Sequence, residues 1–124
     1  MSSAEDLAKL AEYVRRIPAV KWLSHSAPTE PDWWVKFSID LSSPIAWHVV
    51  QELGHVLNYL SPDERLPTVF YPVSPPPYLN GGPEEFLSWV IEPKIASVDA
   101  GVIADYLEGR LPDPVNVIGN WLES

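Results

Sequence analysis

Cysteine is absent from this chain of 124 residues, and its absence excludes several kinds of site at once. Without thiols there is no disulfide framework, no thiolate nucleophile and no cysteine-based zinc site. Long apolar runs are also missing, since no stretch approaches the roughly 20 residues that a membrane-spanning helix needs. The first residues are acidic and amphipathic, unlike the basic and then apolar pattern of a secretion signal. We therefore expect a cytoplasmic protein without a membrane partner.

Positively charged residues are scarce. The 8 Lys and Arg residues are outnumbered by 17 Asp and Glu residues, which gives a net charge of -9. Such a field repels nucleic-acid backbones and anionic membranes and attracts basic proteins. Many proteins are acidic for solubility alone, so the charge does not by itself select a partner. The length predicts a single globular domain over residues 1–124.

Motifs of phosphate binding and of nucleophilic catalysis are missing as well. The paired glycines Gly81 and Gly82 lie between Asn80 and Pro83, a composition typical of a turn rather than of a phosphate-binding loop. The chain also contains no Gly-x-Ser-x-Gly sequence, which marks the nucleophile of many hydrolases. The sequence therefore predicts no catalytic residue and no cofactor, and hence a protein that is not an enzyme.

One group of residues has the spacing of metal ligands. His48, Glu52 and His55 are four and three residues apart, which places them on one face of a helix. Glu-x-x-His occurs in di-metal carboxylate bundles, but those sites need a matching motif on another helix, and the chain has none. We therefore predict no metal site, and a metal-binding protein or enzyme that uses this face is the alternative.

The most regular pattern lies in residues 33–60. Apolar and polar residues first alternate with period two, which predicts a strand. Trp34 is the one large apolar residue on the polar face of this strand, so either a second layer covers it or it anchors a partner. The apolar residues of the other face are Trp33, Val35, Phe37, Ile39 and Leu41.

A long amphipathic helix follows this strand. Ser42 or Ser43 can cap it, Pro44 fits its first position, and Ser61-Pro62 ends it. Gly54 in its middle predicts close packing of another element. Its apolar face comprises Ala46, Val49, Val50, Leu53, Val56, Leu57 and Leu60.

The remaining elements are shorter. Thr68–Val73 predicts a strand whose Pro72 favours an edge position. Residues 86–92, from Phe86 to Glu92, fit either a strand or a helix, and Pro93 with the short length favours a strand. Further helices are predicted over residues 4–17, 97–109 and 115–122, the second of them capped by Ser97 and ended by a left-handed Gly109. Residues 18–32 contain a short apolar piece that is a strand or a packed loop.

The predicted order is α-β-α-β-β-α with a short C-terminal helix. It indicates an α+β (α/β-like) fold, a small mixed sheet of three to four strands with helices packed on it. The helix between the first two strands predicts a right-handed crossover and parallel pairing. The Pro- and Gly-rich loop predicts that the third strand is antiparallel to the second.

Stiff loops that combine aromatic and acidic residues are the predicted binding regions. Residues 75–78 match the Pro-Pro-x-Tyr pattern that WW domains bind, although a rigid structural loop also explains this composition. Prolines limit the entropy lost on binding, and an aromatic side chain supplies an apolar anchor. The predicted partner-binding residues are Glu30, Asp32, Trp34, Tyr78, Glu84 and Glu85.

These observations favour a small acidic binding protein that caps a basic protein partner. The most concrete version is a cytoplasmic immunity protein that neutralises a bacterial toxin of the nuclease type, because it needs no catalytic residue and its acidity suits a basic target. The alternatives are the metal protein or enzyme described above and an adaptor or oligomeric structural subunit. The identity of the partner and the oligomeric state do not follow from the sequence.

Overall fold

An antiparallel sheet forms the centre of the computed structural model, which describes residues 3–27, 32–73 and 88–122. Within these residues four strands pair in the order β1-β2-β4-β3, and each neighbouring pair is antiparallel. Helical segments alternate along the chain with pairs of consecutive strands, and the predicted α+β class is confirmed. The strands are β1 Val20–His25, β2 Val35–Ile39, β3 Thr68–Val73 and β4 Ser88–Pro93.

The parallel pairing that we predicted for β2 and β3 is wrong. The two strands run in the same direction, but β4 lies between them and pairs with both. The physical reason is burial: Ser88 to Ile91 of β4 are all buried, which suits a central strand. Pro72 lacks an N–H, so β3 fits the edge, as predicted. The short apolar piece before residue 26 is a strand, β1, and residues 88–92 are also a strand.

The helices supply most of the core that packs on the sheet. A single buried cluster joins helical residues such as Leu10, Leu53 and Ile103 to Val35 and Phe37 of β2. In chain order, the helical segments are α1 Ala4–Arg15, α2 Ala46–Gly54, a π-helix His55–Leu60, α3 Ser61–Asp63, α4 Ala100–Glu108 and α5 Ile118–Leu122.

The helix after β2 has the predicted apolar face but different ends. Val49, Leu53 and Leu57 are fully buried. The helix starts at Ala46, and neither Ser42 nor Ser43 caps it by a side-chain hydrogen bond. Ser42 instead donates from its backbone N and its Oγ to Asp40 Oδ1, at 3.0 and 2.6 Å, which holds the chain in a turn before the helix.

Pro62 does not end the helix, because two hydroxyl groups replace the N–H that it lacks. Ser61 N donates to Val56 O, five residues back, so the same pattern would require Pro62 to donate to Leu57 O. The hydroxyls of Ser61 and Thr68 each lie 2.8 Å from Leu57 O and replace that donor. The two hydroxyl oxygens are also 2.6 Å apart. Their two protons are therefore shared among three contacts, two to Leu57 O and one between the hydroxyls.

The helix ends three residues later, at a left-handed residue. Arg65 has a φ of 63°. Leu66 N donates to Ser61 O and Arg65 N to Pro62 O, the two bonds of a Schellman motif. Gly109, predicted to be left-handed at the end of α4, has a φ of −78°, and Asp99 rather than Ser97 is the N-cap of α4. Ser97 cannot cap α4 because the helix begins only at Ala100. The prediction for Gly109 was wrong because its N–H already bonds to Asp105 O and Leu107 O within the last turn, so no left-handed residue is needed.

The prediction for Gly54 was also wrong. Among the described residues, a β-carbon at Gly54 would meet nothing nearer than Asn58 Nδ2, at 4.0 Å, so no other described element packs closely there. The close approach occurs at Gly101 of α4 instead. A β-carbon there would lie 2.5 Å from Asp6 Oδ1 of α1, which shows how tightly these two helices pack.

Candidate functional site

The two faces of the sheet differ in what packs on them. Val35, Phe37 and Ile91 point towards the helices and belong to the core cluster. The opposite face, which we call the open face, contributes none of the apolar side chains of its described residues to that cluster. The register assigns to the open face Trp22 and Ser24 of β1; Trp34, Lys36 and Ser38 of the β2 region; Ser88, Val90 and Glu92 of β4; and Val69, Tyr71 and Val73 of β3.

Aromatic side chains are prominent on the open face. Trp22 is 50% exposed, and Lys36 Nζ lies 5.9 Å from the centroid of its ring. Tyr71 is 37% exposed and donates to Glu92 Oε1 at 3.1 Å. Partial burial raises the pKa of Tyr71, and its hydrogen bond to the Glu92 carboxylate raises it further. Tyrosine and tryptophan on a polar surface are typical of protein interfaces.

The predicted anchor Trp34 lies on the open face and is half-buried. Its backbone is fixed by Ser26, whose Oγ accepts from Trp34 N and whose N donates to Trp34 O, each at 3.0 Å. Helix α1 packs on the other side of the sheet, so it does not cover Trp34. The register places Glu92 beside Trp34, and the exposed Asp32 precedes it by two residues.

Asp32 and Trp34, two of the predicted partner-binding residues, are thus two residues apart at one end of the open face. The other predicted partner-binding residues, Glu30, Tyr78, Glu84 and Glu85, lie outside the described residues, as do residues 75–78 of the Pro-Pro-x-Tyr pattern and Phe86.

A cleft of about 670 Å³ lies at the other end of β2. Its lining includes Ser38, which also belongs to the open face, so the two surfaces are continuous. Asp40 lines it as well, and the hydrogen bonds from Ser42 lower the pKa of the Asp40 carboxyl, with a smaller effect from the charge of Lys21. Trp47 forms its apolar side and is 57% exposed.

Sequence reasoning missed the two half-exposed tryptophans, Trp22 and Trp47. Trp47 stands in line with Gln51 and His55 at four-residue spacing, on the exposed side of the helix. The sequence indicated this exposure by placing a large aromatic residue among the polar positions of the helix. Trp22 gave no comparable signal, because the sequence of residues 20–23 fits both a strand and a loop.

The group His48, Glu52 and His55 lies along the exposed side of α2 and the start of the π-helix. His48 and Glu52 are half-buried, and the exposed His55 ring lies 6.4 Å from that of Tyr59. Across residues 3–27, 32–73 and 88–122, no three His, Asp or Glu side chains come close enough to hold a metal ion.

Two further findings bear on function. None of the helices in the described part of the chain is both long enough and apolar enough to cross a bilayer. Comparison of the chain with protein families, with curated proteins and with solved structures finds no match.

Proposed function

We propose that this protein is an acidic binding protein of the cytoplasm that caps a basic protein partner with the open face of its sheet. The observation that carries the proposal is the position of Trp22, Trp34 and Tyr71 on a face that packs on none of the described helices. Tryptophan and tyrosine are enriched among the residues that dominate binding energies, because they bury a large rigid surface. The most concrete version is an immunity protein that neutralises a toxin such as a nuclease.

The distribution of charge supports a basic partner. All 8 Lys and Arg residues lie among the described residues, where Lys9 pairs with Asp105 at 2.6 Å and Arg15 pairs with Glu12. The segments that continue from the ends of the open face carry acids alone, namely Glu30 before β2 and Glu84 and Glu85 between β3 and β4. The two segments leave the open face at opposite ends, since Ser88 and Val73 lie at the Ser38 end of β2 and Trp34 lies at the other. Acids in both segments would attract a basic protein, and the attraction would speed its association.

The test is a set of single substitutions measured against a partner captured from the native host. Trp34→Ala and Trp22→Ala should each weaken binding at least about tenfold, as expected for residues at the centre of an interface. Tyr59→Ala is the matched control, because Tyr59 is 70% exposed but lies on the π-helix, on the other side of the sheet. Equal binding by all three variants would refute the open face as the site.

Charge is tested separately, through kinetics. Asp32→Lys should slow association and reduce its dependence on salt, while Glu64→Lys, an equal charge change directly after α3, should have a smaller effect. Capture of neutral or acidic partners only, or association rates that do not change with salt, would refute the capping of a basic partner. For the immunity version, co-expression of the chain with the captured toxin should restore growth.

A further inference from the structure

The two outer edges of the sheet differ in how their backbone groups are satisfied. At the edge formed by β3, the side-chain amide of Asn58 closes the ladder. Asn58 Nδ2 donates to Phe70 O at 2.9 Å and Phe70 N donates to Asn58 Oδ1 at 2.8 Å. Two residues later Pro72, at the next outward-facing position, has no N–H to offer. A further strand therefore cannot add to β3.

The other edge, formed by β1, has no such closure. Ser26 N donates to Trp34 O, so the backbone N–H of Ser26 faces β2. Backbone groups alternate along an antiparallel strand, so those of Ser24 also face β2, and those of Leu23 and His25 face away from it. No described strand pairs with this outer side. Unpaired edges of this kind are templates for strand addition.

The geometry points to the outer edge of β1 as the contact through which two copies of this chain pair antiparallel. With Ser24 at the two-fold axis, Leu23 of each copy lies opposite His25 of the other. Each of these two pairs exchanges both N–H···O bonds, so the four outward peptide groups of each copy are all satisfied. The product is a continuous sheet with two open faces side by side.

The side chains of β1 suit this register. Ser24 faces its own equivalent across the axis, and a pair of hydroxyls at that position can form a hydrogen bond. Trp22, which is 50% exposed in a single chain, lies next to Ser24 and Ser26 of the other copy and becomes more buried. β1 contains no acid, so pairing brings none of the chain's carboxylates directly opposite one another within the strands.

The expected dimer is weak and strengthens with salt. A contact of one short strand with another buries less surface than stable complexes need, so concentration should control it. Each copy has a net charge of -9, and added salt screens the repulsion between the two copies. This salt dependence is opposite to that expected for a basic partner, so the two contacts can be told apart whether or not the proposed function holds.

The first test compares His25→Pro with His25→Ala by analytical ultracentrifugation from about 10 µM to about 1 mM protein, the range of a weak dimer. His25→Pro removes the outward N–H, as Pro72 does at the opposite edge, whereas His25→Ala keeps it. Two of the four bonds are lost, so His25→Pro should lower the association constant at least about tenfold relative to His25→Ala.

A second pair of variants covers the case in which His25→Pro does not fold. Ser24→Glu places a carboxylate opposite Lys36 of its own chain, which suits the fold, and opposite a second carboxylate across the axis, which opposes pairing. Ser24→Thr is the control that keeps the hydroxyl. Dimers of Ser24→Thr but not of Ser24→Glu are expected. The proposal is overturned by a wild-type protein that stays monomeric at the highest protein and salt concentrations, or by Ser24→Glu pairing as strongly as Ser24→Thr.

Discussion

Replacing Asn58 by Ala should cost stability because it removes both bonds to the Phe70 backbone, at 2.9 and 2.8 Å. Each hydrogen bond contributes about 0.5–1.5 kcal/mol net. A value in the lower half of this range, about 0.75 kcal/mol per bond, applies here, since Asn58 is exposed and water can reach the released groups. Alanine is the better helix former by about 0.5 kcal/mol, which offsets part of the loss. The net loss is about 1 kcal/mol, or a fall in Tm of about 4 °C for a domain of this size.

Thermal unfolding followed by circular dichroism measures this effect, and Gln51→Ala is the matched control. Gln51 carries an exposed amide in α2, which runs directly into the π-helix that contains Asn58. Its removal should therefore change stability by less than about 0.5 kcal/mol. Equal Tm values for the two alanine variants would refute the reasoning, because they would mean that water replaces the Asn58 amide at no cost.

Asn58→Asp provides a second, pH-dependent test of the same contact. The new carboxylate can accept from Phe70 N, but its other oxygen faces Phe70 O without a proton. At neutral pH this variant should therefore be less stable than Asn58→Ala. At a pH below the pKa of the new carboxyl group its proton can donate to Phe70 O, and the deficit relative to Asn58→Ala should shrink. A deficit that does not change with pH would count against the contact.

Two further predictions concern packing and titration. Gly54→Ala should raise stability by about 0.5–1 kcal/mol, because no described residue obstructs its β-carbon. Gly101→Ala should lower the Tm, because its β-carbon would push against Asp6. Equal Tm values for the two variants would contradict the close contact between Gly101 and Asp6. Burial of Tyr13, with a smaller effect from the charge of Glu108, raises its pKa to about 12, so the unfolded state releases this proton near pH 10 and the folded state does not. Stability due to Tyr13 should therefore be lost as the pH rises from about 10 to 12, and Tyr13→Phe should reduce this loss in urea unfolding measured at both ends of the range.

The elements that could be predicted are those with a repeated pattern. The buried positions of the helix after β2 recur every three to four residues, and the burial of Val49, Leu53 and Leu57 follows from that spacing. β2 was predictable for the same reason, because its residues alternate between buried and half-buried. The periodicity of apolar residues is a local property of the sequence, so it can be recognised without knowledge of the fold.

Pairing and helix ends were harder to predict, because they depend on distant residues. The place of β4 between β2 and β3 is decided by its burial on both faces, which the sequence 86–92 shows only as a mixed pattern. Pro62 is a helix breaker by local rules, but Thr68 supplies the missing donor from a strand six residues later.

The candidate surface was predicted in part. Trp34 was identified because it breaks the alternation of its strand, whereas Trp22 required the register of β1 with β2. Trp47 could have been identified from its place among the polar positions of the helix. Exposure of an aromatic side chain depends on what the rest of the chain covers, and that is known only once the layers are in place.

The unequal edges of the sheet also limit the size of any assembly. Open-ended fibres grow when each subunit offers two complementary edges, one to the chain before it and one to the chain after it. Here Asn58 and Pro72 make the β3 edge unable to accept a strand, so addition at β1 closes after two chains. The Asn58 amide, which contributes about 1 kcal/mol to folding, therefore also helps to close this edge, and its loss would leave only Pro72 to oppose strand addition there.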